Sequence, residues 1–441
     1  MSRPAAAGVR PQPRFGELRL LVLVGALLAA GFSAVVATQL SSFSATQLVV
    51  PLTFLAIAVA LHVFLVAIGF RGDQLLLPLA LALTAIGLVQ VQRLAPGLLL
   101  QQLTWCAAGA VAFAAAILVP RDLSVLSRYK YMWAALGLLL LVSPLFPVIG
   151  REVNGARIWV SLGIAQFQPS EAVKVLLVVF FAAYLDEYRE VLSSPPRRLG
   201  PVPVPPLPYL LPILAMWGLA MLVMVLEKDL GATLLFFGIF LAMLFLATGE
   251  LFYTLLGAIL LAGGTAVAAR TFSHVQARID TWLAPFSDEL RFGAGYQVVQ
   301  GLFALGNAGL LGVGLGAGMP ELIPVVWSDF VFNAFAEETG FVGALALLAL
   351  YLVFLYRGML IALRAPTSFL QLLAAGLAFI VAFQTLVIVG GNAKLIPLTG
   401  VTLPFVSYGG SSLVTNFIIV ALLLRISDIT ARVRGLAPSG R

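Results

Sequence analysis

Residues 207–247 read LPYLLPILAMWGLAMLVMVLEKDLGATLLFFGIFLAMLFLA, two apolar runs (207–226 and 230–247) parted only by Glu227, Lys228 and Asp229. A helix needs about 20 apolar residues to cross the hydrocarbon, because lipid offers no partner to an open backbone N–H or C=O. Two such runs back to back predict a helical hairpin in a bilayer. The three ionisable residues mark its tight turn, and two readings of them stand: a solvated turn, or part of a site near the membrane surface.

Working outward, twelve runs of this kind follow one another from residue 20 to residue 424. The shortest are the last (413–424), the sixth (172–185) and the tenth (341–356). Composition agrees, with 61% hydrophobic residues and 10% charged, against about 25% charged in an ordinary soluble domain. A soluble globular protein is excluded. The expected fold class is an all-α polytopic membrane protein of about twelve transmembrane helices. Residues 1–19 form an N-terminal tail, 20–74 a first helix pair, 75–425 the main body and 426–441 a C-terminal tail. The first apolar run lacks a small-residue cleavage site and is followed by many more, so no cleaved signal peptide is expected.

The formal charge of +7 is read through its distribution, and no nucleic-acid partner is expected. With the N-terminus inside, 17 of the 26 Lys and Arg residues fall in cytoplasmic segments, which puts both termini in the cytoplasm. Residues 193–208 carry seven prolines beside Arg197 and Arg198 and are expected to be an extended cytoplasmic linker. Cys106 lies alone in an apolar run, and His62 and His274 are far apart, so neither a disulfide nor a metal site is legible.

The same parity places residues 270–340 outside. A connection of about 70 residues is far beyond the usual length and is a functional suspect. It holds Asp280, Asp288, Glu289, Glu321, Asp329, Glu337 and Glu338 against Arg270, Arg278 and Arg291. Its glycine-rich, partly apolar character predicts short amphipathic or re-entrant helices.

Several constellations could carry chemistry. Asn154-Gly155-Ala156-Arg157-Ile158-Trp159 precedes Gln168-Pro169-Ser170-Glu171-Ala172-Val173-Lys174. Glu171 and Lys174, at i and i+3, share one helix face at the edge of a span. Such a pair is either a structural ion pair or a functional one facing a wet cavity. Arg157 is either an interfacial anchor or a ligand for a lipid phosphate. Trp282 to Asp288 sets an acid in an aromatic and proline frame ahead of Gly293-Ala294-Gly295-Tyr296-Gln297-Val298-Val299-Gln300; an acid so placed suits a general base. The run from Gly309 to Gly318 has no Gly-Lys-Ser/Thr after it and no strand before it, which leaves close backbone packing or a re-entrant turn over nucleotide binding. Glu337 and Glu338 stand at the mouth of a span. Pro397 to Ser412 contains two prolines, three glycines and several hydroxyls, Ser407 and Ser411 among them, so regular helix is not expected there.

Together these segments resemble the SEDS family (FtsW/RodA/SpoVE) from about Leu75 to the C-terminus. The most specific piece is the Pro, Gly, Leu-Pro-Phe, Ser-Tyr-Gly-Gly-Ser-Ser pattern ending at Ser412. The resemblance implies a ten-helix core, to which the first two helices here are an extra N-terminal pair, with a large extracellular loop after the core's seventh span. It implies a peptidoglycan glycosyltransferase that polymerises lipid II, the undecaprenyl-linked disaccharide pentapeptide, and releases undecaprenyl pyrophosphate. The family's essential acid maps onto Asp288. This chain departs from the family in carrying Glu289-Leu290-Arg291-Phe292 next, so Asp288 and Glu289 both stay open as the base. A second departure is Lys228-Asp229-Leu230-Gly231, where the family commonly has Pro-Asp-x-Gly. Substrate-facing candidates are Arg157, Glu171, Lys174, Gln297, Glu337, Glu338, Ser407 and Ser411, with Arg157 and Lys174 offsetting the leaving group's charge. A divalent cation, Mg2+ or Mn2+, could assist, though no ligand set is legible. Implied partners are a class B penicillin-binding protein (the transpeptidase), other divisome or elongasome proteins, and membrane lipids. A lipid II flippase, or a scaffold of the division or elongation machinery, is the competing reading.

Overall fold

A chain this apolar can leave no backbone group open in lipid, and its membrane segments fold accordingly as helices. The computed structural model describes residues 13–38, 45–119, 122–153, 156–161, 163, 166–193, 197–199, 202–204 and 207–435. In chain order the elements are α1 (Phe15–Thr38), α2 (Ala45–Ala67), α3 (Leu76–Leu94), α4 (Leu99–Leu118), α5 (Ser124–Arg128) and α6 (Lys130–Val142). There follow β1 (Gly150–Val153), β2 (Ala156–Ser161), β3 (Gln166–Phe167), α7 (Pro169–Ser193), β4 (Arg197–Leu199) and β5 (Val202–Val204). The rest is helical: α8 (Leu207–Glu227), α9 (Leu230–Thr248), α10 (Leu251–Thr271), α11 (Ser273–Leu283), α12 (Tyr296–Asn307), α13 (Val331–Arg364), α14 (Ser368–Asn392) and α15 (Gly410–Val433).

Among the described residues ten helices are long and apolar enough to cross a membrane. The fifth and sixth apolar runs fold as the shorter α6 and as α7, which carries Glu171 and Lys174 near its start and Asp186 and Glu187 further on. Burial sorts centre from rim. The apolar window of α3 is 83% buried and that of α10 only 11%. The centre is α3, α7, α14 and α15, with α4 and α9 against them; α1, α2, α8 and α10 present apolar side chains outward, as lipid-facing helices do.

The helix ends differ from the expected tails. α1 begins at Phe15, five residues before the expected span, because Arg14 and Glu17 form a buried pair at its start. Arg14 Nη2 lies 2.5 Å from Glu17 Oε2, and Arg14 also donates to the carbonyls of Phe70, Gly72 and Asp73. His62 Nδ1 lies 2.6 Å from the other Glu17 oxygen, which fixes α2 to α1. At the other terminus α15 runs on to Val433. Its buried Asp428 accepts from Arg71 N–H at 2.7 Å and pairs with Arg432 at 2.7 Å. The starts of α1 and α3 and the end of α15 therefore meet at one end of the bundle, where Asp73 also pairs with Arg357.

Residues 270–340 hold α11, α12 and the start of α13 up to Gly340, so about half of this connection is helical. α13 is broken at Gly340 (φ 72°, ψ −175°), and the glycine run closes the break. Val313 N–H and Gly314 N–H donate to the carbonyls of Glu337 and Glu338, while Phe341 N–H and Val342 N–H donate to those of Gly309 and Leu310. The approach is close enough that a Cβ at Gly312 would lie 2.3 Å from the Glu338 carbonyl oxygen, and one at Gly340 would lie 2.2 Å from Gly312 N.

Two further segments differ in detail from expectation. The join at Glu227 to Asp229 is no solvated turn on its acid side: Glu227 is buried and Asp229 caps α9, its Oδ1 accepting from Ala232 N–H at 2.9 Å. In the proline-rich segment β4 and β5 pair antiparallel, since extended backbone can satisfy its polar groups by folding back on itself; its residues 194–196, 200–201 and 205–206 lie outside the described residues. So do Asn154 and Gly155 and the outer parts of both expected tails.

Candidate functional site

The site is built around the non-helical link between α14 and α15, residues 393–409. Pro397 and Pro404 lack N–H groups, and Phe405 takes a left-handed backbone (φ 66°), so helix cannot run through. Side chains from the surrounding helices replace the missing ladder. Gln384 Nε2 donates to the Thr402 carbonyl at 2.8 Å, Arg278 Nη1 to that of Leu398 at 2.7 Å and Tyr351 to that of Pro404 at 2.5 Å. Ser407 Oγ accepts from Leu403 N–H at 2.8 Å and donates to the Ser328 carbonyl, while Tyr408 N–H donates to that of Trp327 at 2.9 Å. This frame has the character required of irregular backbone at membrane depth, with its polar groups satisfied by protein.

Three cavities meet at Gly400. The largest, 540 Å³, lies between the β1–β3 hairpin, the start of α15 and the link; Trp105, Arg151, Trp159, Gln168, Tyr408 and Ser411 are among its walls. A second, 250 Å³, lies under α11 and α12 and is lined by Arg278, Trp282, Gln297, Asp329, Lys394 and apolar neighbours. A narrow 50 Å³ extension reaches inward to Glu171, Lys174 and Asp229. Gly400 has φ 72°, and a Cβ there would stand 3.9 Å from both Arg278 terminal nitrogens and from Asp329 Oδ2. The junction is thus faced by a guanidinium and a carboxylate.

Burial dominates the electrostatics. It pushes Asp329 up to about 6, against the opposing pulls of its own backbone N–H and of Arg278. Burial also raises Asp229, which the Ala232 N–H and Arg278 pull the other way. Arg278 is itself held below its ordinary value by burial, partly offset by these two acids. Among the described residues no group of three His, Cys, Asp or Glu side chains converges as a metal-binding set.

The structure brings four of the expected residues to the cavities. Glu171 and Lys174 line the inner extension, where Lys174 Nζ lies 2.5 Å from Glu171 Oε2 and 2.8 Å from Gln384 Oε1. Ser411 lines the large cavity and its Oγ accepts from Gln168 N–H at 2.9 Å. Gln297 lines the second cavity and donates to the Pro324 carbonyl at 2.7 Å.

The other five are not among the walls of these three cavities. Asp288 is exposed and pairs with Arg291 at 2.8 Å; it belongs to the turn joining Trp282 to Ala294, both of which line the second cavity. Its neighbour Glu289 is exposed as well. Arg157 is on β2, half exposed and paired with Glu152 at 3.1 Å, while its neighbours Ile158 and Trp159 reach the large cavity. Ser407 braces the link. Glu337 and Glu338 lie in the stitched region, Glu338 paired with Arg93 at 2.9 Å and Glu337 beside Met319 N–H at 3.5 Å.

Sequence reasoning passed over Arg278, Asp329, Lys394 and Arg151 as site residues, while for Asp229 it left a solvated turn and part of a site both open. One signal for Arg278 was available: His274, Arg278 and Trp282 recur every fourth residue and so share a face of α11. The partners of that face come from α8, α14 and the link, which no local pattern reveals.

Comparison with known proteins gives a consistent result. The family model described as cell cycle protein, FtsW/RodA/SpoVE, matches residues 95–432. Peptidoglycan glycosyltransferase RodA of Mycobacterium tuberculosis is 40% identical over 429 residues, covering 95% of this chain and 91% of the relative. A probable peptidoglycan glycosyltransferase FtsW of Thiomicrospira cyclica is 35% identical over 73% of this chain and 80% of its own length. Among solved structures, a chain of a peptidoglycan synthase complex that coordinates polymerization and crosslinking superposes with a TM-score of 0.68 at 30% identity, covering 81% of this chain and 98% of its own. The rod shape determining protein RodA of Thermus thermophilus gives 0.56 at 29% identity, with 81% and 96% covered.

Proposed function

The chain belongs to the FtsW/RodA/SpoVE family and is a multi-pass membrane peptidoglycan glycosyltransferase, and from that premise we propose that it polymerises lipid II at the outer face of the bacterial cytoplasmic membrane. Asp288 is the general base. As the 4-hydroxyl oxygen of the acceptor's N-acetylglucosamine attacks the anomeric carbon of the donor's N-acetylmuramic acid, Asp288 takes the hydroxyl proton. The bond from that carbon to the diphosphate oxygen breaks, and undecaprenyl pyrophosphate leaves with the electron pair. The walls at Glu171, Lys174, Gln297 and Ser411 hold the two substrates near each other, which supplies the orientation such a reaction needs.

The observation that carries this reading is the turn 283–293, whose two ends, Trp282 and Ala294, are cavity wall. An acid on that turn is tethered to the rim of the chamber where the cavities meet. Both termini are assigned to the cytoplasm, which agrees with the meeting of Arg14, Asp73 and Asp428 at the end of the bundle away from Gly400. A class B penicillin-binding protein is the proposed partner, and the likeness to a chain of a peptidoglycan synthase complex supports it.

The test is reconstitution of the purified chain in vesicles containing lipid II, with and without the penicillin-binding protein, scoring glycan polymer against flipped lipid. Polymer that depends on Asp288 is the expected result. Flipped lipid without polymer in any condition would replace this reading with the transporter.

A further inference from the structure

The leaving group proposed above carries two phosphates, yet the two cations expected to meet it are engaged elsewhere. Arg157 is paired with Glu152 on the outer face of the hairpin, and Lys174 is buried between Glu171 and Gln384. The 250 Å³ cavity offers a different pair. Its charged lining is Arg278, Lys394 and Asp329, two cations to one carboxylate, and beside them stand the apolar Val298, Ile396 and Leu398.

Lys394 follows the end of α14 in a left-handed backbone (φ 61°), the position at which helices usually place glycine because a Cβ is strained there. A lysine in the last turn would complement the helix dipole without that strain. Its presence at the strained position points to a use for the side chain, and among the described residues Lys394 makes no ion pair. Lys228 repeats the arrangement at the end of α8, again with φ 61°. The α11 face of His274, Arg278 and Trp282 lies over these two helix ends. Trp282 Nε1 donates to the Lys394 carbonyl at 3.0 Å, and burial, with Lys228 and Arg278 nearby, holds His274 below its ordinary value. Arg278 spends one Nη1 hydrogen bond on the Leu398 carbonyl and lines the cavity beside Gly400, where a Cβ would stand 3.9 Å from both its terminal nitrogens and from Asp329 Oδ2. A guanidinium and an ammonium beside an apolar wall match a prenyl diphosphate, the first giving directional hydrogen bonds and the second a point charge.

We infer that Arg278 and Lys394 form a diphosphate subsite in the cavity beneath α11, which binds the headgroup of a diphosphate-linked lipid. The inference rests on the glycosyltransferase reading for its biological role, and its binding test does not require turnover.

The full chain in detergent is titrated with farnesyl diphosphate by calorimetry, with inorganic pyrophosphate and phosphatidylglycerol nanodiscs as separate arms. Lys394→Gly removes the charge while relieving the backbone strain, so the variant keeps or raises its unfolding temperature and loses about ten-fold or more in farnesyl diphosphate affinity. Lys394→Arg keeps most of it. Inorganic pyrophosphate competing for the site assigns recognition to the headgroup itself. Unchanged farnesyl diphosphate affinity in Lys394→Gly overturns the subsite, and so does an equal loss towards phosphatidylglycerol, which would make the patch a general anionic-lipid contact. The two readings fail separately. Lys394-dependent binding in a chain that forms no polymer removes the polymerase reading alone, while polymerisation at the wild-type KM in Lys394→Gly removes the subsite alone.

Discussion

Gln384 Oε1 accepts from Lys174 Nζ at 2.8 Å while Gln384 Nε2 donates to the Thr402 carbonyl at 2.8 Å, so one buried amide ties the ion pair of α7 to the irregular link that forms the floor of the cavities. Thr402 Oγ1 in turn donates to Ser412 Oγ at 3.1 Å at the start of α15. The pair, the link and the α15 entrance form one hydrogen-bonded unit.

Removing Lys174 alone, as Lys174→Met, leaves Glu171 charged and enclosed, and should destabilise the chain by about 3–5 kcal/mol. The double variant Glu171→Gln, Lys174→Met should recover much of that loss in thermal unfolding. Polymer formation by the recovered double variant would mark the pair as structural. A stable but inactive one would mark it as functional.

Asp288→Asn should abolish polymer formation with the unfolding temperature unchanged, since the side chain is exposed and its partner Arg291 is half exposed too. Glu289→Gln in the same assay decides between the neighbouring acids. Loss in Glu289→Gln with retention in Asp288→Asn would transfer the role.

Asp329 should confer a pH signature. Its folded value, about 6, lies above the ordinary 3.8, so the folded state holds its proton more tightly than the unfolded chain does. Stability from this group is therefore greatest in acid, falls as pH rises from about 4 to about 6, and stays lower above that. Asp329→Asn should be more stable than wild type at pH 8, by no more than ~3 kcal/mol, with the gain vanishing near pH 4. Unfolding temperatures of both forms across that range give the comparison, and a gain that persists at pH 4 would contradict it.

The stitched break in α13 can be tested at its glycines. Gly312→Ala drives a Cβ to 2.3 Å from the Glu338 carbonyl oxygen in a left-handed backbone, whereas Gly314→Ala at φ 106° has its nearest neighbour, Ala317 Cβ, at 3.7 Å. Gly312→Ala should cost about 3 kcal/mol or more, and Gly314→Ala only the backbone strain of about 1–3 kcal/mol. Equal unfolding temperatures for the two would show that the stitch does not hold the break.

What the sequence made legible was set by local pattern. Apolar run length identifies helices such as α8 and α9, and proline with glycine between 397 and 410 announces a stretch that cannot be helix. The Glu171 and Lys174 spacing likewise places both on one face, and the structure finds them paired. Missing from the sequence are the long-range pairings. Arg278 reads as one charge in a loop until α11 is laid across Leu398 and Gly400. Asp229 reads either as a turn residue or as part of a site until the fold encloses it beside Glu171 and Lys174. The run from Gly309 to Gly318 suggests close backbone packing, and its partner, the break at Gly340, is visible only once both are folded.

That partnership also bears on biosynthesis. Residues 309–314 are made before 337–342, so when the ribosome delivers the interrupted start of the 341–364 span, the strand of amides that will satisfy it has already emerged. The interruption can be closed by a segment roughly two to three dozen residues upstream, with no wait for α14 or α15. A span that would otherwise enter lipid with open carbonyls thus arrives with its complement at hand, and the break can close in the order in which the chain is synthesised.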